Sequence, residues 1–245
     1  MEGITIHEFS GSEKLVEKNI YSPEERREKM CELAETFFID EKEIGEGRTA
    51  DVYFTSEHAN ICLKRMKKTY RSPYLNTVEE EGMYLESASK FKDTGVRVPE
   101  PIAFIEARVP KDYKGKKITI RESVLAMEQI DGISFQDIIK PAKEKFRKKM
   151  PENFNIDSFF QKLQDFIAKL NENKIYHRDL HMGNVMIDRE TGDPVVIDFG
   201  FSAKQYSSDQ DMYNEVDETR GKVTHFLNDK RQVEILKKEI QEYLL

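Results

Sequence analysis

Cysteine is scarce in this chain, which places only Cys31 and Cys62 among its 245 residues. Two thiols supply neither a disulfide framework nor a metal-ligand cluster. Cys31 falls in a helical apolar pattern and Cys62 in a strand pattern, so both are expected to be packed thiols. Long apolar runs are lacking as well: none approaches the roughly 18 residues of a membrane-spanning helix. Met1 to Lys14 lacks the basic region and apolar stretch of a secretory signal. Glycine and proline number 12 and 8, too few for a fibrous or low-complexity chain, and 38% hydrophobic with 35% charged residues indicates a soluble globular protein. No membrane insertion is expected. The cytoplasm is the default compartment, and the polar stretch before Ser22 leaves delivery into another cell open.

Net charge is -7, which gives no general attraction to polyanions. The distribution is uneven, because Lys140, Lys143, Lys145, Arg147, Lys148 and Lys149 surround a single acid, Glu144. A solvated helix end explains such a run, and so does a docking patch for an acidic or polyanionic partner at residues 140–149.

Along the chain, Ser22-Pro23-Glu24-Glu25 forms a capping box, and Met30, Leu33, Ala34 and Phe37 recur at helical spacing over 23–38. Short strand patterns follow at Asp51 to Thr55 and Asn60 to Met66. Residues 77–91 return to helix, with Val78, Glu81, Leu85 and Ala88 on one face, and Val98-Pro99-Glu100-Pro101 cannot continue it. Ile102 to Ala107 and Lys117 to Met127 read as two strands joined by a turn at 111–115. Beyond Gly132 the pattern becomes helical, with Phe135, Ile138 and Ile139 in a short helix and Phe159, Leu163, Phe166, Ile167 and Leu170 in a long one. Val185 to Ile187 and Val195 to Ile197 suit a hairpin. Two further helices are expected, one carrying Met212, Val216, Val223 and Phe226, the other Val233, Leu236, Ile240 and Leu244. A hinge is expected near 128–132.

Three constellations carry chemistry. Gly45 and Gly47 sit at a turn between strands, where the missing Cβ lets backbone N–H groups approach an anion; an ordinary hairpin turn reads the same way. Lys64 lies in the next strand, and a buried ammonium there needs an acidic partner. Helical phase favours Glu81, with Glu80 as runner-up and Glu79 solvated. The strongest signal is Tyr176-His177-Arg178-Asp179-Leu180-His181-Met182-Gly183-Asn184, followed by Asp198-Phe199-Gly200. An Asp and an Asn five residues apart, with a further Asp after a short hairpin, are the polar set phosphoryl transfer uses.

Over residues 44–200 the sequence resembles the protein-kinase-like superfamily, as a compact or atypical member. The resemblance implies an α+β, two-lobed fold, with a small antiparallel-sheet N-lobe carrying one internal helix and a reduced, mainly helical C-lobe. Residues 1–40 would be an N-terminal extension with a helix, 41–130 the N-lobe and 131–245 the C-lobe. It implies ATP and Mg²⁺ as nucleotide and metal. Asp179 would orient the acceptor hydroxyl, Asn184 and Asp198 would hold Mg²⁺, and Lys64 paired with Glu81 would face phosphate. Gly45, Gly47, Val52, Met127, Glu128 and Ile130 would line the nucleotide site, Glu128 through its carbonyl and Ile130 through its amide.

Departures from the family pattern bear on substrate. Ala50 stands where a third glycine is usual. His181 replaces a lysine usual two residues after the catalytic Asp and joins the catalytic set here. Leu-His-x-Gly-Asn is similar to small-molecule phosphotransferases. No Ala-Pro-Glu follows Gly200, so a long activation segment is not expected. The implied function is phosphoryl transfer to a protein Ser/Thr hydroxyl; the alternatives are a small hydroxyl compound as acceptor and a catalytically silent nucleotide-binding scaffold.

Overall fold

The computed structural model describes residues 4–10, 43–46, 50–54, 61–66, 75–140, 148–204, 212–217 and 222–244. The helix expected over 23–38, with Cys31, lies outside them. So do Gly47 and residues 141–147 of the basic segment. The chain forms two compact units, one comprising 1–71, 77–86 and 100–129, the other 72–76, 87–99 and 130–245. The architecture is α+β, an antiparallel sheet unit and a more helical one.

The first unit contains β1 (Thr5–Glu8), β2 (Glu43–Glu46), β3 (Ala50–Phe54), β4 (Ile61–Met66), β5 (Pro101–Tyr113) and β6 (Lys116–Glu128), in the spatial order β1-β5-β6-β4-β3-β2. Every pairing is antiparallel. Central β4 is buried on both faces, as its pattern Ile61-Cys62-Leu63-Lys64 requires. Ile61 and Leu63 join Tyr53, Ile105, Val124 and Ala126 in one core cluster. Cys62 and Lys64 point to the opposite face by strand alternation. Helix α1 (Val78–Ala88) buries Val78, Glu81, Leu85 and Ala88, the face its spacing set out.

β5 runs well beyond its expected end at Ala107, whereas β6 matches its expected span to within one residue at each end. Lys114 and Gly115 both have positive φ (52° and 77°), giving the two-residue turn whose twist matches a hairpin, so pairing continues to Tyr113↔Lys116. β1 pairs with β5 through Ile6↔Ile105. A four-residue edge strand carries too short a period to be read from sequence.

The second unit holds β7 (Gly132–Ser134), α2 (Phe135–Ile139), α3 (Ile156–Glu172), β8 (Val185–Asp188), β9 (Pro194–Val196), β10 (Met212–Asp217), β11 (Lys222–Leu227) and α4 (Asp229–Leu244). Ser134 caps α2 by accepting the Asp137 N–H at 3.1 Å, and Asn155 caps α3 by accepting that of Ser158 at 2.9 Å. The buried face of α3 is Phe159, Phe160, Leu163, Phe166, Ile167 and Leu170. Phe135 and Phe154 meet Phe159 edge-on. Each such ring contributes about 1.5–3 kcal/mol on burial, so this cluster anchors the helical floor beneath the short strands.

β8 and β9 form the expected hairpin, with β7 added on its other side. The helix expected around Met212, Val216, Val223 and Phe226 is not formed: β10 and β11 pair antiparallel, with Val216 opposite Val223. Met212 and Val216 are four apart, a spacing that suits one face of either a helix or a strand. In the sequence Gly221 stands between the two runs, and a glycine there disfavours one continuous helix.

Candidate active site

The sheet unit and the helical unit each carry one group of the residues singled out by sequence. In the sheet unit, Gly45 pairs with Val52, Val52 with Lys64, and Lys64 with Leu125, so the three candidates lie in one row across β2, β3 and β4. Lys64 Nζ donates to Glu81 Oε1 at 2.7 Å, and the two residues are 3% and 1% exposed. Withdrawing both charges from water is costly unless they meet, so this contact fixes both side chains. Glu80 has another task. Its Oε2 accepts the Thr77 N–H at 2.8 Å while Thr77 Oγ1 accepts the Glu80 N–H at 3.2 Å, a reciprocal cap on α1.

Of the three candidates near 130, Met127 is half-buried opposite Cys62, and Glu128 ends β6. The Glu128 carbonyl is 3.8 Å from Cys62 Sγ, and its N–H donates to Glu100 O at 2.8 Å. Burial, opposed by nearby Lys64 and reinforced by Glu128, pushes the Cys62 thiol up to about 12. A thiol held protonated is inert. Ile130, in the second unit, accepts the Gly132 N–H at 3.0 Å.

The second unit carries Asp179, His181, Asn184 and Asp198. His177 is fully buried edge-on against Phe199 at 4.6 Å. Its Nδ1 accepts the Asp179 N–H at 3.3 Å, which leaves Nε2–H to donate to Ile197 O at 3.1 Å. This ring is a brace between two loops. Asn184 donates through Nδ2 to both the carbonyl (2.9 Å) and the carboxylate (3.1 Å) of Asp179. The two bonds occupy Nδ2 and orient the amide, which leaves Oδ1 as the acceptor atom of this side chain.

Pairing of Val185 with Val196, and of Ile197 N–H with Asn184 O at 3.0 Å, carries the chain from Asn184 across the hairpin to Asp198. Asp198 is left-handed (φ 63°, ψ 74°), and its Oδ1 accepts the Gly200 N–H at 3.3 Å. Arg178 is also left-handed, at φ 70°. Strained non-glycine residues of this kind persist only where neighbours over-determine them. An amide oxygen and a carboxylate are hard donors, and Mg²⁺ takes few protein ligands because phosphate and water complete its shell. The donor set therefore fits Mg²⁺.

His181 is exposed, with Nε2 3.8 Å from Asp179 Oδ2 and Nδ1 accepting the Gly183 N–H at 2.9 Å. A Cβ on Gly183 would stand 2.8 Å from Gln136 Oε1 and 2.9 Å from His181 Cε1, so a larger residue here would push aside these two exposed side chains. Beside Asp179 and His181 opens a cavity of about 190 Å³, whose other wall includes Gln232, Ile235 and Glu239 of α4.

Sequence reasoning missed the contribution of α4. Asp229 accepts the main-chain N–H groups of His177 (2.8 Å) and Arg178 (2.7 Å); Gln232 accepts that of Leu180 (2.6 Å) and donates to Arg178 O (2.8 Å). Burial pushes the Asp229 carboxyl up to about 6, against the pull of those two N–H groups and of the Arg178 charge. The helix was legible from Val233, Leu236 and Ile240, but nothing in a first-turn Asp announces a partner some fifty positions away. Arg97 and Asp188 were missed as well. They pair at 2.5 Å, and although burial raises the Asp188 carboxyl, hydrogen bonds from Thr191, Arg97 and Glu190 together hold it below its usual range.

Among known families, residues 38–223 match the protein kinase domain. A curated relative, the EKC/KEOPS complex subunit bud32 of Dictyostelium discoideum, is 26% identical over 164 residues. That match spans 65% of this chain and 58% of the relative. The order of the site residues along the chain, their geometry within each unit and this match agree, and the chain belongs to the protein kinase domain family.

Proposed function

We propose that the chain transfers the γ-phosphoryl group of ATP to a Ser/Thr hydroxyl of a protein substrate, with Mg²⁺ as the metal. The observation that carries this reading is Asn184, whose Nδ2 donates to the carbonyl and carboxylate of Asp179 at the start of the hairpin that leads to Asp198. Asn184 and Asp198 would hold Mg²⁺, which supplies charge neutralisation on the phosphates. Lys64, fixed by Glu81, presents its ammonium to phosphate oxygens. Gly45, Gly47, Val52, Met127, the Glu128 carbonyl and the Ile130 amide line the nucleotide site in this reading. Asp179 accepts the acceptor's hydroxyl proton, and the cavity beside it gives that acceptor an approach.

A second reading, transfer to a small hydroxyl compound, draws on His181. A histidine 3.8 Å from Asp179 in place of the usual lysine alters the acceptor side of the site. The relative's name marks it as a subunit of a complex. In keeping with that, the basic segment 140–149 is proposed to meet an acidic or polyanionic partner, with Lys140, Lys148 and Lys149 exposed. The test is incubation of the purified chain and its Asp198→Ala variant with labelled ATP, a protein extract and a panel of small alcohols. Label in protein with the parent alone supports the first reading, and label only in a small alcohol supports the second. Label nowhere overturns both.

A further inference from the structure

Asn76 has no part in the site as described, yet it makes three hydrogen bonds to the segment that follows Asp198. Its N–H donates to Gly200 O at 2.7 Å, and its side-chain Nδ2 donates to Phe199 O at 3.1 Å and Ser202 O at 2.8 Å. Three of the four carbonyls between Phe199 and Ser202 are thus held by one residue. All of these groups lie in the same compact unit.

The held segment is a single 3₁₀ turn, with its own Ser202 N–H to Phe199 O bond at 3.0 Å. One such turn is marginal by itself, since its i→i+3 geometry is poor and it gains little cooperativity. It begins at the left-handed Asp198, a conformation that costs roughly 1–2 kcal/mol for a residue with a Cβ. External ties must therefore hold it. On one side Phe199 packs on His177 and Ala203 bridges Tyr176. Asn76 supplies the other side. An amide NH₂ shared between two carbonyls sets the rotation of the turn, and that rotation sets where the Asp198 carboxylate points.

We propose that Asn76 is a positioning residue for Asp198, keeping its carboxylate aimed for the metal. This rests on the phosphoryl-transfer reading above, in which Asp198 is a Mg²⁺ ligand. Asn76→Asp keeps the shape but sets a carboxylate oxygen against two carbonyl oxygens in place of the NH₂ donor. Asn76→His restores one N–H at a similar reach.

The experiment is calorimetric titration of the full chain with ATP, with and without Mg²⁺, accompanied by thermal melts. The parent should gain affinity from the metal. Asn76→Asp should lose about tenfold of that gain, the scale of losing a part-buried hydrogen bond, while metal-free ATP binding is unchanged. Asn76→His should recover part of the loss. An Asn76→Asp variant that melts lower yet keeps the full metal-dependent gain overturns the proposal and leaves Asn76 a purely structural cap. If the variant fails to fold, Asn76→His against the parent decides the matter, with an undiminished gain overturning the proposal. A parent with no metal-dependent gain sinks the phosphoryl-transfer reading itself, and this inference falls with it.

Discussion

The Asp229 carboxylate accepts the main-chain N–H of Arg178 at 2.7 Å, which ties the first turn of the last helix to a left-handed residue next to Asp179. The loop carrying Asp179 is therefore braced from α4 as well as through its own hairpin. Asp229→Asn keeps one acceptor oxygen but turns an NH₂ toward the N–H of either His177 or Arg178, leaving that donor unsatisfied. Turnover should fall about tenfold or more, since a buried donor left unmade costs about 1–3 kcal/mol. Assay of kcat alongside circular dichroism separates a displaced loop from an unfolded chain.

The same residue sets a pH dependence. Its folded-state value near 6 lies above the ordinary carboxylate value of 3.8, so between those pH values the folded chain binds the extra proton. Stability from this group therefore falls as pH rises from about 4 to about 6 and levels off above that. Asp229→Asn lacks this titration. Urea unfolding at pH 4.5 and pH 7 should show the difference between parent and variant shifting in that direction; parallel curves would remove the effect.

Asp198→Ala should abolish Mg²⁺-dependent transfer. It should also lower stability by about 1 kcal/mol, because alanine tolerates the left-handed backbone less well than Asp and loses the cap on Gly200. Asp198→Asn, which keeps the backbone preference and the cap, should lose transfer with little change in melting. Equal activity in either variant and the parent would remove Asp198 from the metal site. Asp179→Asn should instead keep ATP affinity while turnover collapses.

What the sequence made legible follows from the range over which each signal acts. The face of α1 with Val78, Glu81, Leu85 and Ala88 was readable because helical phase is local, and the same phase set Glu81 rather than Glu80 toward the sheet. β10 and β11 were misread because Met212 and Val216, four apart, suit a helix or a strand alike, while Val223 and Phe226, three apart, keep a helical phase although they pair in a strand. Asp229, Gln232 and Asn76 were invisible for another reason. Each acts on main-chain groups far along the chain, and a polar residue near a helix start looks like any cap until the fold supplies its partner.

Lys64 and Glu81 form a buried pair, and removing one member strands the other charge. Lys64→Met and Glu81→Leu should each destabilise by about 3–5 kcal/mol, whereas the double variant should cost much less than the sum. Transfer should be lost in all three, because the ammonium facing phosphate is absent or unfixed. Urea denaturation provides the cycle; additive losses would mean that the 2.7 Å contact contributes nothing to stability.

The basic segment 140–149 carries a net formal charge of +5 in a chain of -7. Lys140, Lys148 and Lys149 are exposed, and Lys140 lies 3.8 Å from Glu239, an exposed pair of the kind worth little in water. The charge of these three described lysines is thus open to a partner rather than spent on the fold. Replacing Lys143, Lys145, Lys148 and Lys149 with Gln should leave the melting temperature and ATP affinity nearly unchanged. The apparent KM for an acidic or polyanionic partner should rise severalfold, because long-range attraction acts chiefly on encounter. Raising salt from 50 to about 300 mM shortens the screening length below 10 Å and should weaken the parent's binding far more than the variant's. Steady-state kinetics of both proteins at the two ionic strengths test this directly. Matching KM values and matching salt responses would return the segment to an ordinary solvated surface.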